Sequence, residues 1–337
     1  MSRLPYNQLL VGDAREVLAT LPSESVDCVI TSPPYFRLRN YQDERQIGLE
    51  EHVDEWVREL MLVSRQIMRL LKRTGSFWLN VGDTFSRTAS EGAIEKSLVL
   101  APERLAVALA TDGWILRNKV VWAKSNPMPT SVKDRLSCTH EVVYFFVRDK
   151  HYYFDLDTIR VPHVGKPSRP LDVSTAWSVP DEWRGPSSGR HNGLTHLKQR
   201  GLVGHPLGKN PGDVWQLATA GYRGQHHAVF PERLVEKPLL ATCPEKVCSR
   251  CGRPWTKNRA RNLGRVATQA ALAPVCDCDA PAQPGLVLDP FMGSGTVASV
   301  AAQHGRRWLG VELNPAFGEL VTDRLTSHEH SPPKARP

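Results

Sequence analysis

Gly285-Leu-Val-Leu-Asp289-Pro-Phe-Met-Gly-Ser-Gly-Thr296, continued by the run to His304 and by Trp308-Leu-Gly-Val-Glu312, reads as strand, glycine turn, helix, strand. The apolar run ending at Asp289 suits a buried strand, and the two-glycine turn passes the chain to a helix over Thr296–His304. Gly293 and Gly295 let the backbone approach a bound molecule closely, and the helix start offers free N–H groups. The turn lacks Gly-Lys-Ser/Thr, so it is not a lysine-bearing phosphate loop. Glu312, sixteen residues past Thr296, ends the second strand. An acid there can hold both ribose hydroxyls of an adenosine-containing cofactor, although an incidental surface glutamate fits the spacing equally well.

Working outward, the first 155 residues alternate in the same way. Val26–Thr31 is a short apolar strand. Apolar positions from Val53 to Leu71 keep helical spacing, with Gly75 expected as the C-cap, and Ser76–Gly82 then reads as a strand. Leu98–Thr111 is a second amphipathic helix stopped by Asp112-Gly113. Trp114–Trp122 and Glu141–Arg148 are β-rich and suit an antiparallel pair. The pattern predicts an α/β fold: a doubly wound, mostly parallel sheet with helices on both faces.

A second motif, Thr31-Ser-Pro-Pro-Tyr35, sits at the carboxyl end of a predicted strand, where open α/β sheets bind ligands. Pro33 and Pro34 carry no N–H, so their backbone only accepts hydrogen bonds; Ser32 adds an acceptor oxygen and Tyr35 an aromatic face. Acceptors beside a ring suit a planar group with an exocyclic amine. Any proline-rich turn can contain these four residues, and it is the pairing with the glycine turn that gives them weight.

The chain has 337 residues and a net charge of +8. Its apolar stretches are far shorter than the roughly 18 residues a membrane span needs, and no charged-then-apolar leader opens it, so a cytoplasmic protein without a membrane partner is expected. Eight Lys/Arg face three Asp/Glu between Arg160 and Lys209, and Lys246–Arg265 holds seven Lys/Arg and no acid. Such concentration favours a phosphate backbone as partner over a merely solvated surface. Val161–Gly212 carries eight Gly and seven Pro with Trp177 and Trp183 interleaved, a composition expected of a binding element.

Together the two motifs resemble the S-adenosylmethionine-dependent amino-methyltransferases of DNA, which modify cytosine N4 or adenine N6. The catalytic motif precedes the cofactor motif, as in their β class. Gly12-Asp13-Ala14, Leu71-Lys-Arg-Thr-Gly75, Trp122-Ala-Lys-Ser-Asn-Pro127 and His227-Ala-Val-Phe-Pro231 extend the likeness over roughly residues 8–155 and 210–325. The resemblance implies a Rossmann-like core with permuted motif order. It implies catalysis by Ser32, Pro33, Pro34 and Tyr35, with Tyr35 stacked on the base. Cofactor contacts would come from Asp13, Thr31, Phe230, Pro231, Asp289, Pro290, Phe291, Gly293, Ser294, Gly295, Thr296 and Glu312. Double-stranded DNA is the implied partner, and a cognate restriction endonuclease is expected to accompany the enzyme; its oligomeric state is open. Ser at position 32 is typical of the cytosine-N4 enzymes and Asp of the adenine ones, so N4 is the expected target and N6 the alternative. Carbon-5 chemistry needs a Pro-Cys nucleophile, and no cysteine here follows a proline.

Four of the seven cysteines form two close pairs, Cys248-Ser-Arg-Cys251 and Cys276-Asp-Cys278. Four thiolates suit a closed structural zinc site of zinc-ribbon type, with Cys243 as a substitute ligand and unliganded thiols as the plain reading. Cys28 and Cys138 read as small buried residues. Asp83 reads as a cap or a rim residue, and His226 and His227 as a polar turn. Trp122 and Lys124 suit a strand end or a DNA-side pair. The expected organisation is a catalytic part over 1–159 and a target-recognition region over 160–215. The cofactor part covers 216–242 and 283–327, with a zinc-binding basic insertion over 243–282 and a disordered tail over 328–337. An inactive zinc-ribbon DNA-binding protein, or a methyltransferase acting on RNA or a protein amide, are the rival readings.

Overall fold

A computed structural model of the chain describes residues 4–41, 43–163, 207–220, 230–257, 261–262, 265–266 and 271–329. Trp177, Trp183, His226 and His227, most of the expected recognition region and the end of the tail lie outside them. The chain forms two units, Met1–Thr158 with Gly212–Asn258 and Ala271–Pro337, and Ile159–Pro211 with Arg259–Ala270. In the smaller unit Val161 and Lys209 form an antiparallel bridge, and Arg261–Asn262 pairs with Arg265–Val266.

The larger unit is built on an eight-stranded sheet. Its strands are β1 (Gln8–Val11), β2 (Val26–Thr31), β3 (Leu71–Val81), β4 (Ile115–Lys124), β5 (His140–Val147), β6 (Val214–Leu217), β7 (Leu286–Asp289) and β8 (Arg307–Glu312). They lie in the order β1-β8-β7-β2-β3-β5-β4-β6. Neighbours are parallel except where β5 runs against β3 and β4. The expected antiparallel pair is β4 with β5.

Among the described residues six helices cover the sheet: α1 (Ala14–Thr20), α2 (Val53–Leu70), α3 (Ala101–Thr111), α4 (Glu232–Thr242), α5 (Thr296–Gln303) and α6 (Phe317–Glu329). Successive strand residues serve opposite faces. Val29, Phe77, Leu79, Leu286 and Leu288 pack with the residues of α1–α3, whereas Ile30, Trp78, Val287 and Trp308 pack with those of α4–α6. Where both faces are covered, as along Val142–Val147 of β5 and Leu286–Leu288 of β7, the strand reads as an unbroken apolar run. Trp56, Leu60, Val63, Ile67 and Leu70 form the buried stripe of α2. At about 2 kcal/mol each, they contribute roughly 10 kcal/mol against the entropy of ordering the helix.

Gly75 is not a helix cap. Helix α2 ends at Leu70, Leu71 turns extended, and the chain enters β3 directly, with Gly75 inside that strand. A Cβ there would stand 3.0 Å from the Lys72 carbonyl oxygen and 3.1 Å from that of Asp27, so close backbone approach explains the glycine. Asp83 does act as a cap: its carboxylate accepts from the N–H groups of Leu100 and Ala101 at the start of α3. Among the described residues no helix is long and apolar enough to cross a membrane.

Candidate active site

From β7 the chain passes through α5 to β8 on one side, and from β2 through α2 to β3 on the other. The winding therefore reverses between β2 and β7, and their carboxyl ends open a crevice. Thr31 Oγ1 donates to Asp289 Oδ1 across that point at 2.6 Å, joining positions 258 apart in sequence. A cleft opens beside it at the strand ends. Gly12 and Asp13 line it after β1, Ser32 and Pro34 after β2, and Pro290, Phe291 and Glu312 after β7 and β8.

Asp289 is fully buried. Its Oδ1 accepts from Thr31 and from Phe291 N–H at 3.0 Å, while Oδ2 has no hydrogen-bond partner among the described residues. Burial outweighs these two bonds and pushes its pKa up to about 7. Glu312 is raised by burial too, opposed by N–H bonds from Asn314 at 3.0 Å and Gly293 at 2.8 Å. Neither acid has a Lys, Arg or His partner within 4 Å among the described residues.

The glycine turn is shaped for close packing. Gly295 has φ +77°, and a Cβ on it would lie 3.1 Å from both Val321 methyls. The hydroxyls of Ser294 and Thr296 accept hydrogen bonds from Arg324 of α6 at 3.1 and 2.9 Å. Asp13 lines the cleft, yet its carboxylate caps α1 through Arg15 N at 2.8 Å and binds the Arg15 guanidinium. Although burial acts to raise the Asp13 pKa, those bonds hold it below the usual carboxylate range. Phe230 lies in a small hollow with Thr31, Asn80 and Leu234, and Pro231 caps α4.

The Ser-Pro-Pro-Tyr loop is held from behind. Trp56 Nε1 donates to the Pro34 carbonyl at 2.9 Å, while the Pro33 carbonyl takes no hydrogen bond among the described residues. The Tyr35 hydroxyl donates to Glu141 Oε2 at 2.7 Å and accepts from Asn80 Nδ2 at 2.8 Å. Its oxygen lies 3.0 Å from Ser32 Oγ. With the Tyr35 proton committed to Glu141, Ser32 must donate to Tyr35, which leaves the Ser32 oxygen as an acceptor at the cleft. Burial, with Glu141 nearby, holds the Tyr35 pKa well above its usual value, so the phenol stays protonated. Lys124 Nζ donates to the other Glu141 oxygen at 2.7 Å. Trp122 is a core residue whose Nε1 donates to the Leu217 carbonyl.

Sequence reasoning missed Asn80, Glu141 and Arg324, and it missed Tyr41, Asp43, Arg45, Gln46 and Ile47, which line one side of the cleft. A signal for Glu141 existed. The expected β4–β5 pairing sets it opposite Trp122, two residues from Lys124 at the strand end.

The sulfurs of Cys248, Cys251, Cys276 and Cys278 lie within 4.8 Å of one another. Tetrahedral zinc with Zn–S of about 2.3 Å places sulfurs ~3.8 Å apart, so the four fit such a site. Hydrogen bonds from the Cys251 and Arg250 backbone lower the Cys248 thiol to about 6. Cys243 lies outside this group, fully buried with its sulfur beside Gly285. Cys28 is buried, its thiol pushed up to about 12, whereas Cys138 is exposed, contrary to expectation.

The family model described as DNA methylase matches residues 26–323. Type II methyltransferase M.SmaI of Serratia marcescens is 31% identical, covering 96% of this chain and 92% of that protein. The fold is similar to that of PvuII DNA methyltransferase (cytosine-N4-specific), with TM-score 0.59 and 18% identity over 99% of this chain and 89% of the other. It is also similar to that of a Thermus thermophilus protein complexed with S-adenosyl-L-methionine, with TM-score 0.53 and 23% identity over 95% of this chain and 93% of the other.

Proposed function

Since the chain belongs to the DNA methylase family, we propose that it methylates the exocyclic N4 of a flipped-out cytosine in a specific duplex sequence, using S-adenosylmethionine. The polarity of the Ser32 hydroxyl carries this reading. With its proton given to Tyr35, the Ser32 oxygen accepts one hydrogen of the target amine, and the unengaged Pro33 carbonyl accepts the other. The amine lone pair, otherwise conjugated into the ring, is drawn out of conjugation by these two acceptors. That is preorganised stabilisation where charge develops. Trp56 and the two prolines keep the loop rigid, so base and methyl donor are held in line. Tyr35 would stack its ring on the base while its hydroxyl anchors Ser32. Flipping the nucleotide out of the duplex costs a few kcal/mol.

The cleft fits the cofactor. S-adenosylmethionine supplies an electrophilic methyl on a sulfonium centre when bound. The unpartnered Asp289 Oδ2 would hold its ammonium group, Glu312 its ribose hydroxyls, and Phe291 and Phe230 its apolar parts. The choice of cytosine rests on Ser32, where the resemblance gives adenine enzymes Asp. The four clustered cysteines would hold a structural zinc. Similarity to a Type II methyltransferase supports a cytoplasmic role beside a restriction endonuclease of the same specificity. Mass spectrometry of nucleosides from treated duplex DNA tests the reading. N4-methylcytosine is expected; N6-methyladenine would overturn the base, and no methylated nucleoside would overturn the activity.

A further inference from the structure

A second large opening lies at the other edge of the sheet. The cleft occupies the carboxyl ends of the strands; this cavity, of about 580 Å³, is lined at their amino ends. Arg307 opens β8 and Glu312 closes it, five residues or about 16 Å further along. Five cations and one acid line the cavity: Lys72, Arg73, Arg250, Arg253, Arg307 and Glu24. Glu24 is already paired with Arg148 at 2.9 Å, Lys72 with Asp27 at 2.7 Å and Arg73 with Asp149 at 2.7 Å. Arg250 and Arg253 have no acidic partner within 4 Å among the described residues, so their charge is uncompensated.

These two arginines sit on the turn that carries Cys248 and Cys251. Gly252, at φ +70°, lets that turn close onto Lys72, whose side chain would stand 3.2 Å from a Cβ there. Lys72 Nζ reaches the Gly252 carbonyl at 3.5 Å. The cysteine cluster thus fixes where Arg250 and Arg253 project. Arg307 is braced by the Gln283 side chain and the Pro284 carbonyl.

We propose that this cavity binds the phosphate backbone of a second DNA segment while the target segment occupies the cleft. Uncompensated arginines on a wide, open surface suit a continuous polyanion, which needs charge and no base-specific contacts. The inference rests on the reading of the chain as a DNA enzyme, since it takes duplex as the polyanion at hand.

The test uses the full chain saturated with a short target duplex, to which a fluorescent duplex lacking the target is added and followed by anisotropy. Binding of the second duplex is expected, and the Arg250→Glu/Arg253→Glu variant should lose it while methylating the short duplex at the normal rate. Two lost phosphate contacts lower the salt slope by roughly 2, removing about tenfold of the affinity change between about 50 and about 200 mM salt. Arg250→Gln/Arg253→Gln, which introduces no repulsion, should show the same slope change if the acidic variant fails to fold. Absence of second-duplex binding by the unaltered chain, or unchanged binding by either variant, overturns the proposal. Displacement of the second duplex by equimolar ATP overturns it in favour of a soluble nucleotide. Failure to methylate the short duplex would instead strike the proposed function, because anisotropy does not depend on turnover.

Discussion

Cofactor binding should release a proton from Asp289. In the free protein this fully buried acid titrates at about 7, because burial penalises its charged form and one oxygen has no partner. A cationic ammonium beside Oδ2 favours the ionised form and pulls the pKa far below neutrality. The protons released equal the protonated fraction before binding: about nine-tenths at pH 6, about half at pH 7 and about one-tenth at pH 8. Isothermal calorimetry of S-adenosylmethionine binding in phosphate and in Tris reads this directly, since the heat differs by the released fraction times the difference in buffer ionisation enthalpy. Asp289→Asn should bind more weakly and with heats independent of buffer, which separates Asp289 from Glu312. Buffer-independent heat in the unaltered protein at pH 6 and 7 would refute the reasoning. Without cofactor, stability carries the same signature. The folded pKa lies above the unfolded value of 3.8, so the native state holds its proton more tightly. Its contribution is fully present below that value and lost as pH rises through about 7, at most about 4 kcal/mol, which urea unfolding of the chain and of Asp289→Asn would measure.

Ser32→Ala should lower the single-turnover methylation rate roughly 10²–10³-fold with cofactor affinity unchanged, since it removes an acceptor used in the transition state. Glu141→Gln should lower that rate about tenfold or more, because an amide can donate to Tyr35 and turn the Ser32 proton toward the substrate; an unchanged rate would show that Ser32 polarity is irrelevant. Gly295→Ala should destabilise the fold by about 1–2 kcal/mol in chemical denaturation, from its left-handed backbone alone, with the Val321 methyls adding to it. Atomic emission should find about one zinc per chain. Cys251→Ser should reduce it and lower the thermal midpoint, while Cys243→Ser should leave the metal in place.

The switch point could be read from the sequence because its chemistry is local. An apolar run, two glycines and a helix start declare a strand–turn–helix wherever they occur, and Thr31-Ser-Pro-Pro-Tyr35 marks a strand end as plainly. The partners that Ser294, Thr296 and Asp13 take within the fold were harder to see. A hydroxyl beside a glycine turn looks the same whether it faces a ligand or Arg324, and an acid before a helix is a cap as readily as a contact. Glu141 was hidden by distance, since it meets Tyr35 across 106 positions and only strand register brings them together. Gly75 misled because a glycine soon after a helical run usually ends it, whereas here the chain needed room between two carbonyl oxygens.

The Thr31–Asp289 bond has a consequence for biosynthesis. Strand β2 emerges with the whole Ser32 loop long before its neighbour β7 and the glycine turn, since Thr31 and Asp289 are 258 positions apart. A ribosome-bound chain stopped before Leu286 carries one bank of the cleft and none of the other, so it can neither retain the methyl donor nor modify DNA. Competence then waits for the β7–β8 segment, and any message cut short upstream of it yields an inert product.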